Sequence, residues 1–228
     1  MASNSIDFKR AFCIANELLA TARSITTFPY AIKDVIKDAY DLQFCSFAKA
    51  SGKFKIDITA FGSESAVLIE KMGMNVIFYN QDEPKPRIRF SICHELGHYV
   101  QNHKMNLPKE DPLYGKQEIE ANFFAAQILM PEQILRECIS RGKRTNVDFL
   151  ISSFGVSEEA AEKRCGSLAR TNAEYRSYSE KEYDDIILYK YADFINSIAP
   201  NKYLYSFEEE FDRQRDRDGW MNDRYSRY

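Results

Sequence analysis

Apolar residues, Ile6, Phe12, Ala15, Leu18, Leu19 and Ala22, recur at helical spacing over residues 5–22. That pattern predicts a first helix, and a shorter one is expected over 34–40. After Leu42 the rhythm changes. FKIDITAF alternates apolar and polar positions, which suits a half-buried strand, and AVLIEKMGMNVIFYN reads as two strands around Gly73. QDEPKPR interrupts regular structure, because each proline disfavours helix at the residue before it. A helix is predicted over 87–103.

A loop with Pro108, Asp111, Pro112 and Gly115 leads to a second strong helix, KQEIEANFFAAQILM, ended by Pro131. Pro131 can open the next helix, PEQILRECIS, in the first turn, where its missing N–H removes no bond. NVDFLISSFGVSEEAAEKRCGSLA predicts two short helices around the turn FGVS. Ser157 is the expected N-cap of the second, with Glu158 and Glu159 in its positive first turn. In YSEKEYDDIILYKYADFINSI, the residues Tyr183, Ile186, Ile187, Tyr191, Phe194 and Ile195 fall on one helical face. The final FEEEFDRQRDRDGWMNDRYSRY is charged, of mixed sign, and expected to be mobile or to dock as an adaptor or flap.

Composition adds limits. Hydrophobic residues make up 44% of the 228, enough for a sizeable core, and the formal net charge of -3 gives no bulk attraction to phosphate backbones. The five cysteines are dispersed and form no Cys-x-x-Cys pair, which is the usage of a reducing compartment. The N-terminus mixes charges into its apolar positions, unlike a signal peptide, and no apolar run is long enough to span a bilayer. A cytoplasmic protein is expected.

The chemistry concentrates in FSICHELGHYVQNHK, which holds all three histidines of the chain. His94 and His98 lie roughly 40° apart on a helix, so both imidazoles can meet one metal ion. Glu95 then lies beside the metal, placed to act as a general base. This is the spacing in which two histidines hold zinc and a glutamate activates water. Catalytic zinc usually takes a third protein ligand. His103 comes nine positions after His94, which on an unbroken helix aims it away, so it reads as a helix-end residue meeting the negative dipole. The better candidates are Glu118 and Glu120 in the following helix. They are rotated roughly 200° apart, so a continuous helix turns only one toward the metal. Glu118 shares a face with Asn122, which could support a ligand by a hydrogen bond, and Ala121, Ala125 and Ala126 keep the helix slim. Glu118 is therefore preferred.

Three blocks in order, RFSICHELGHYVQNH, EIEANFFAAQILMPEQ and FGVSEEAAEKR, resemble the ImmA/IrrE family of metallopeptidases over roughly residues 55–170. Arg89 with Phe90, Glu118 with Ala121, Asn122, Phe124 and Ala125, and Leu129 with Met130 and Pro131 fall on the family's positions. Ile92-Cys93 stands where leucine-alanine is common, and Gln127 where alanine or glutamate is usual. The resemblance implies zinc held by His94, His98 and Glu118, with Glu95 as catalytic base. It also implies a zinc-dependent endopeptidase that cleaves a helix-turn-helix transcriptional repressor, relieving repression in stress or in mobile-element and phage regulation. Many members carry an extra N-terminal DNA-binding domain; none is expected within the residues before 42.

The expected fold is α+β: a mainly helical zincin-type core with a small twisted β-sheet, followed by a small helix-turn-helix-like subdomain. Its expected divisions are N-terminal helices at 1–41, the metallopeptidase core at 42–140, the subdomain at 141–175, a C-terminal helix at 176–206 and the charged tail at 207–228. Direct DNA binding is disfavoured, because Glu158, Glu159 and Glu162 crowd the helix that would enter a groove, against Lys163 and Arg164. Lys85, Arg87 and Arg89 could form a small basic patch. MNVIFYN or its hairpin partner could receive a substrate as an added strand. The competing function is a non-catalytic zinc module that sequesters a protein partner.

Overall fold

The computed structural model of the chain describes residues 5–40, 42–71, 73–105 and 107–201, together with Phe211 and Arg215. Apart from those two positions, the charged tail lies outside the described residues.

Helix α1 (Phe8–Thr21) starts at Asp7, whose carboxylate accepts from the Arg10 N–H, and buries Ala11, Phe12, Ala15, Leu18 and Leu19. Helix α2 (Ile32–Ala39) and strand β1 (Leu42–Ser46) follow. The stretch FKIDITAF is not the expected strand. It begins as the last residue of helix α3 (Phe47–Phe54) and ends in a 3-10 turn, Ile58–Phe61. Local side-chain bonds explain the difference. Ser46 caps α3 by accepting from the Lys49 N–H, and Asp57 takes the Thr59 N–H, so the backbone is committed to turns rather than to a ladder. The alternation still reports burial: Ile56 and Ile58 pack on Cys45, Phe47, Ala50 and Phe78.

Strands β2 (Ala66–Lys71) and β3 (Met74–Tyr79) form the expected hairpin, with Gly73 at φ 75°, the positive φ that a tight hairpin turn requires. The sheet has the order β1-β3-β2, with β1 parallel and β2 antiparallel to the central β3. Leu42, Leu68 and Ile77 face the main core, while Cys45 and Phe78 face the smaller cluster.

Helix α4 (Lys85–Val100) lies against β2 and β3, and α5 (Pro112–Leu129) packs on α4 and α1. Gly97 sets how closely α4 and α5 approach. A Cβ there would sit 3.1 Å from the Ala121 Cα and from the Phe124 ring. Gly97→Val is expected to cost about 1–3 kcal/mol by overpacking. Thermal unfolding should show a lowered midpoint, and an unchanged midpoint would mean the helices are not held this close.

The chain continues through α6 (Glu132–Ser140), α7 (Val147–Phe154) and α8 (Glu158–Arg170). Ser157 caps α8 as expected, accepting from the Ala160 N–H, and Gly155 ends α7 at φ 61°. Arg164 is not on a surface that could meet DNA. It is 2% exposed, donating to the Met130 carbonyl and to the Gln127 side chain. Gln127 in turn donates to Asn16 and Gln133, and so joins α5, α1 and α6.

The last apolar face is built as three pieces rather than one helix: α9 (Tyr178–Lys181), α10 (Asp184–Lys190) and α11 (Ala192–Ile198). The break at Tyr191 brings its hydroxyl onto the Leu19 carbonyl at 2.8 Å, while Lys190 donates to the Leu19 and Ala22 carbonyls at the end of α1. Tyr191, Phe194 and Ile195 are buried as expected, and Ile186 is 49% exposed instead. One apolar core runs from Ala11 to Ala199. Among the described residues, no helix is long and apolar enough to cross a membrane. The architecture is α+β and mainly helical, with its small three-stranded sheet beside α4.

Candidate metal centre

Pro84 and Pro86 start α4, and one helical turn separates His94 from His98 on its cleft-facing side. Their Nε2 atoms are 3.0 Å apart. Helix α5 begins at Asp111, which accepts from the Leu113 N–H, and brings Glu118 across from α4. The two carboxylate oxygens of Glu118 each lie 3.4 Å from one Nε2. Ligating atoms of His94, His98 and Glu118 all fall within 4.8 Å of one another. Ligands held tetrahedrally by zinc, at about 2.0–2.1 Å each, are separated by roughly 3.3 Å, which matches this spacing.

The donor set fits a cation as well. The Asn122 carbonyl oxygen is 3.0 Å from His94 Nδ1, the support expected from the face of α5 that Asn122 shares with Glu118. An Nδ1–H given to Asn122 leaves the lone pair of His94 Nε2 facing the Glu118 carboxylate. Acceptor then meets acceptor, an arrangement that a positive charge relieves. The same pull acts on protons. Hydrogen bonds from His94 and then His98 hold the Glu118 carboxyl well below the usual range. Burial works against charge on His94, but the bond to Glu118 and the charges of Glu95 and Glu118 outweigh it and raise its pKa.

Glu95 sits next to this cluster. Its Oε2 accepts the Leu68 N–H at 2.8 Å, which ties it to β2. Burial raises its pKa, with His94 and His98 opposing. Cys93 points the other way and is buried filler, its thiol pushed up to about 12 by burial. The cluster opens on a cleft of about 780 Å³. One wall is β2, at Ala66, Val67 and Leu68; another is the start of α8, at Ser157 and Ala160. Of the hairpin, β3 is central, so β2 is the strand with an edge on the cleft. Tyr114, one turn before Glu118 on α5, lines the cleft, and burial, then the Glu118 carboxylate, raise its pKa. A second hollow, about 910 Å³, lies between α1, α2 and the end of α4 and includes Tyr40 and Tyr99. Among the described residues, it holds no group of metal-ligating side chains.

The other expectations resolve individually. Lys85, Arg87 and Arg89 make no basic patch: Arg87 pairs with Glu83 at 3.1 Å, and Arg89 turns inward to donate to the Phe154 and Gly155 carbonyls, both at 2.9 Å. His103 is not a free helix-end residue. Helix α4 stops at Val100, and Asn102, at φ 50°, turns the chain back. The His103 N–H bonds the His98 carbonyl and the Asn102 N–H bonds the Tyr99 carbonyl, the pattern of a Schellman cap. His103 therefore lands beside His98, with Nδ1 to Nδ1 at 3.0 Å, and its Nε2 reaches Glu120 at 3.1 Å. Burial, then the neighbouring His98 and Arg10, lower its pKa to about 4. The residues that sequence reasoning missed here are Tyr114 and the His103–Glu120 pair. The i, i+4 relation of Tyr114 to Glu118 could have found the first, and an Asn placed to end a helix the second.

Comparison with family models matches residues 41–166, more than half of the chain, to the IrrE N-terminal-like domain of peptidase family M78. No curated protein matched the chain.

Proposed function

The chain belongs to peptidase family M78, the IrrE N-terminal-like group, and from that premise we propose that it is a zinc-dependent endopeptidase acting on a protein substrate. The observation that carries this reading is the meeting of His94, His98 and Glu118 at one point of a cleft, with Glu95 beside them.

His94, His98 and Glu118 are the residues that would hold zinc. Zinc in such a site supplies Lewis acidity, polarising a peptide carbonyl and making water acidic enough to attack at neutral pH. The remaining work belongs to the chain. Glu95, its carboxyl raised by burial but countered by the histidines, takes the proton from the attacking water and returns it to the leaving amine. Asn122 holds the His94 ring by its Nδ1–H. The outer edge of β2 can receive an extended segment as an added strand, laying its backbone past Glu95.

The family resemblance points to a helix-turn-helix transcriptional repressor as substrate, and so to release of repression under stress or in mobile-element and phage regulation. Five unpaired cysteines fit a reducing compartment, so we place this activity in the cytoplasm. The alternative, a zinc module that only sequesters a partner, is less well supported. A structural zinc is normally closed by four protein ligands, whereas three converge among the described residues, on an open cleft.

Co-expression of the chain with a repressor encoded beside it should yield a shortened repressor on a blot, and a Glu95→Gln chain should leave it whole. Cleavage that persists with Glu95→Gln would refute the mechanism; no cleavage of any such repressor by a zinc-loaded chain would refute the substrate class.

A further inference from the structure

Two side chains set aside as ligands, His103 and Glu120, are stacked behind one that is not. From His98, whose Nε2 faces His94 and Glu118, the ring's other nitrogen meets His103 Nδ1 at 3.0 Å, and His103 Nε2 meets Glu120 Oε2 at 3.1 Å. The second carboxylate oxygen, Glu120 Oε1, accepts the Asp7 N–H at 2.6 Å, at the cap of α1. The His103 side chain is 6% exposed and that of Glu120 14%.

We infer that His103 and Glu120 are positioning residues that fix the proton arrangement of His98 for metal binding, an inference that rests on the zinc-site reading above. An ionised carboxylate only accepts, so the nitrogen of His103 facing Glu120 carries a hydrogen. A neutral His103 then has a lone pair at Nδ1, toward His98. That lone pair accepts a hydrogen from His98 Nδ1, which leaves the lone pair of His98 Nε2 directed into the cluster. A ligating histidine needs that tautomer and a fixed ring, and its outer hydrogen-bond partner supplies both. His94 obtains the same from one amide, Asn122; His98 obtains it through a relay of two side chains.

The relay also accounts for local structure. The Schellman cap at Asn102 carries His103 back over the ring it orients. Glu120 is turned off the face of α5 that carries Glu118, so the two carboxylates serve different tasks: Glu118 reaches into the cluster, and Glu120 lies behind it, anchored to the start of α1.

The test measures zinc affinity of the purified full-length chain by competition with a chromophoric chelator. It also records the visible spectrum after cobalt(II) substitution, which reports the ligand field directly. His103→Phe keeps a ring of similar bulk but can neither accept nor donate; Glu120→Ala removes the terminal acceptor. Each is expected to weaken zinc binding by about 10–100-fold and to alter the cobalt bands. The double variant should lose little more than the worse single variant, because both act through one ring. His103→Gln, which can accept and donate, should recover part of the loss. Unchanged affinity and an unchanged cobalt spectrum in His103→Phe would overturn the relay, as would additive losses in the double variant. A native chain that takes up neither metal would instead defeat the zinc-site reading itself, and the relay with it.

Discussion

Replacing Glu95 by glutamine will leave metal content at the native level and lower peptide hydrolysis by roughly 10²–10⁴-fold, the usual contribution of a positioned general base. Glutamine keeps the size of the side chain and can still accept the Leu68 N–H through its carbonyl, so the tie to β2 survives. What disappears is the ability to take a proton. Glu95 is not one of the three residues whose ligating atoms converge, so binding of the ion itself should not depend on it. The measurement is metal analysis of the purified variant beside single-turnover cleavage of the same substrate. Native cleavage rates in a fully loaded Glu95→Gln chain would assign the base elsewhere, and lost metal would move Glu95 into the ligand set.

Glu118→Ala is expected to reduce zinc affinity by more than the roughly 10–100-fold that loss of a supporting partner costs. It removes a ligand and leaves two histidines alone. Glu120→Ala should fall within that smaller range, because Glu120 acts through His103 and His98. If Glu120→Ala were the more damaging of the two, the assignment of the third ligand would be reversed. The same centre should bind zinc less tightly as pH falls, because the raised pKa of His94 lets protons compete for the nitrogen that the metal uses. Competition titrations at two pH values read this sign directly; affinity rising toward acid would contradict it.

Both experiments concern residues whose pairing along each helix is a matter of spacing. His94 and His98 are one helical turn apart, and Glu118 and Asn122 are one turn apart on α5; a turn of helix is a local geometry that sequence alone dictates. The N-cap at Ser157 and the hairpin at Gly73 were legible for the same reason. Where reading failed, a competing interaction decided. FKIDITAF has the alternation of a strand, but Ser46 and Asp57 draw its backbone into turns. The C-terminal apolar face has the period of one helix, but burying Tyr191 against the end of α1 breaks it. Arg89 and Arg164 carry charge, yet each turns inward to donate to backbone carbonyls. An unbroken helix would aim His103 away from His98, but the left-handed Asn102 ends α4 and turns it back.

The sequence by itself determined the family, the mainly helical α+β class, and the short-range geometry that pairs one histidine with another and a glutamate with an asparagine. Tertiary structure decided what long-range contact alone can fix: that Glu118 rather than Glu120 turns to the histidines, that β2 rather than β3 edges the cleft, and that His103 backs His98. The physical reason is range. A helical turn is set by the residues within it, whereas the meeting of α4 with α5 depends on the close approach at Gly97 and on packing against distant parts of the chain.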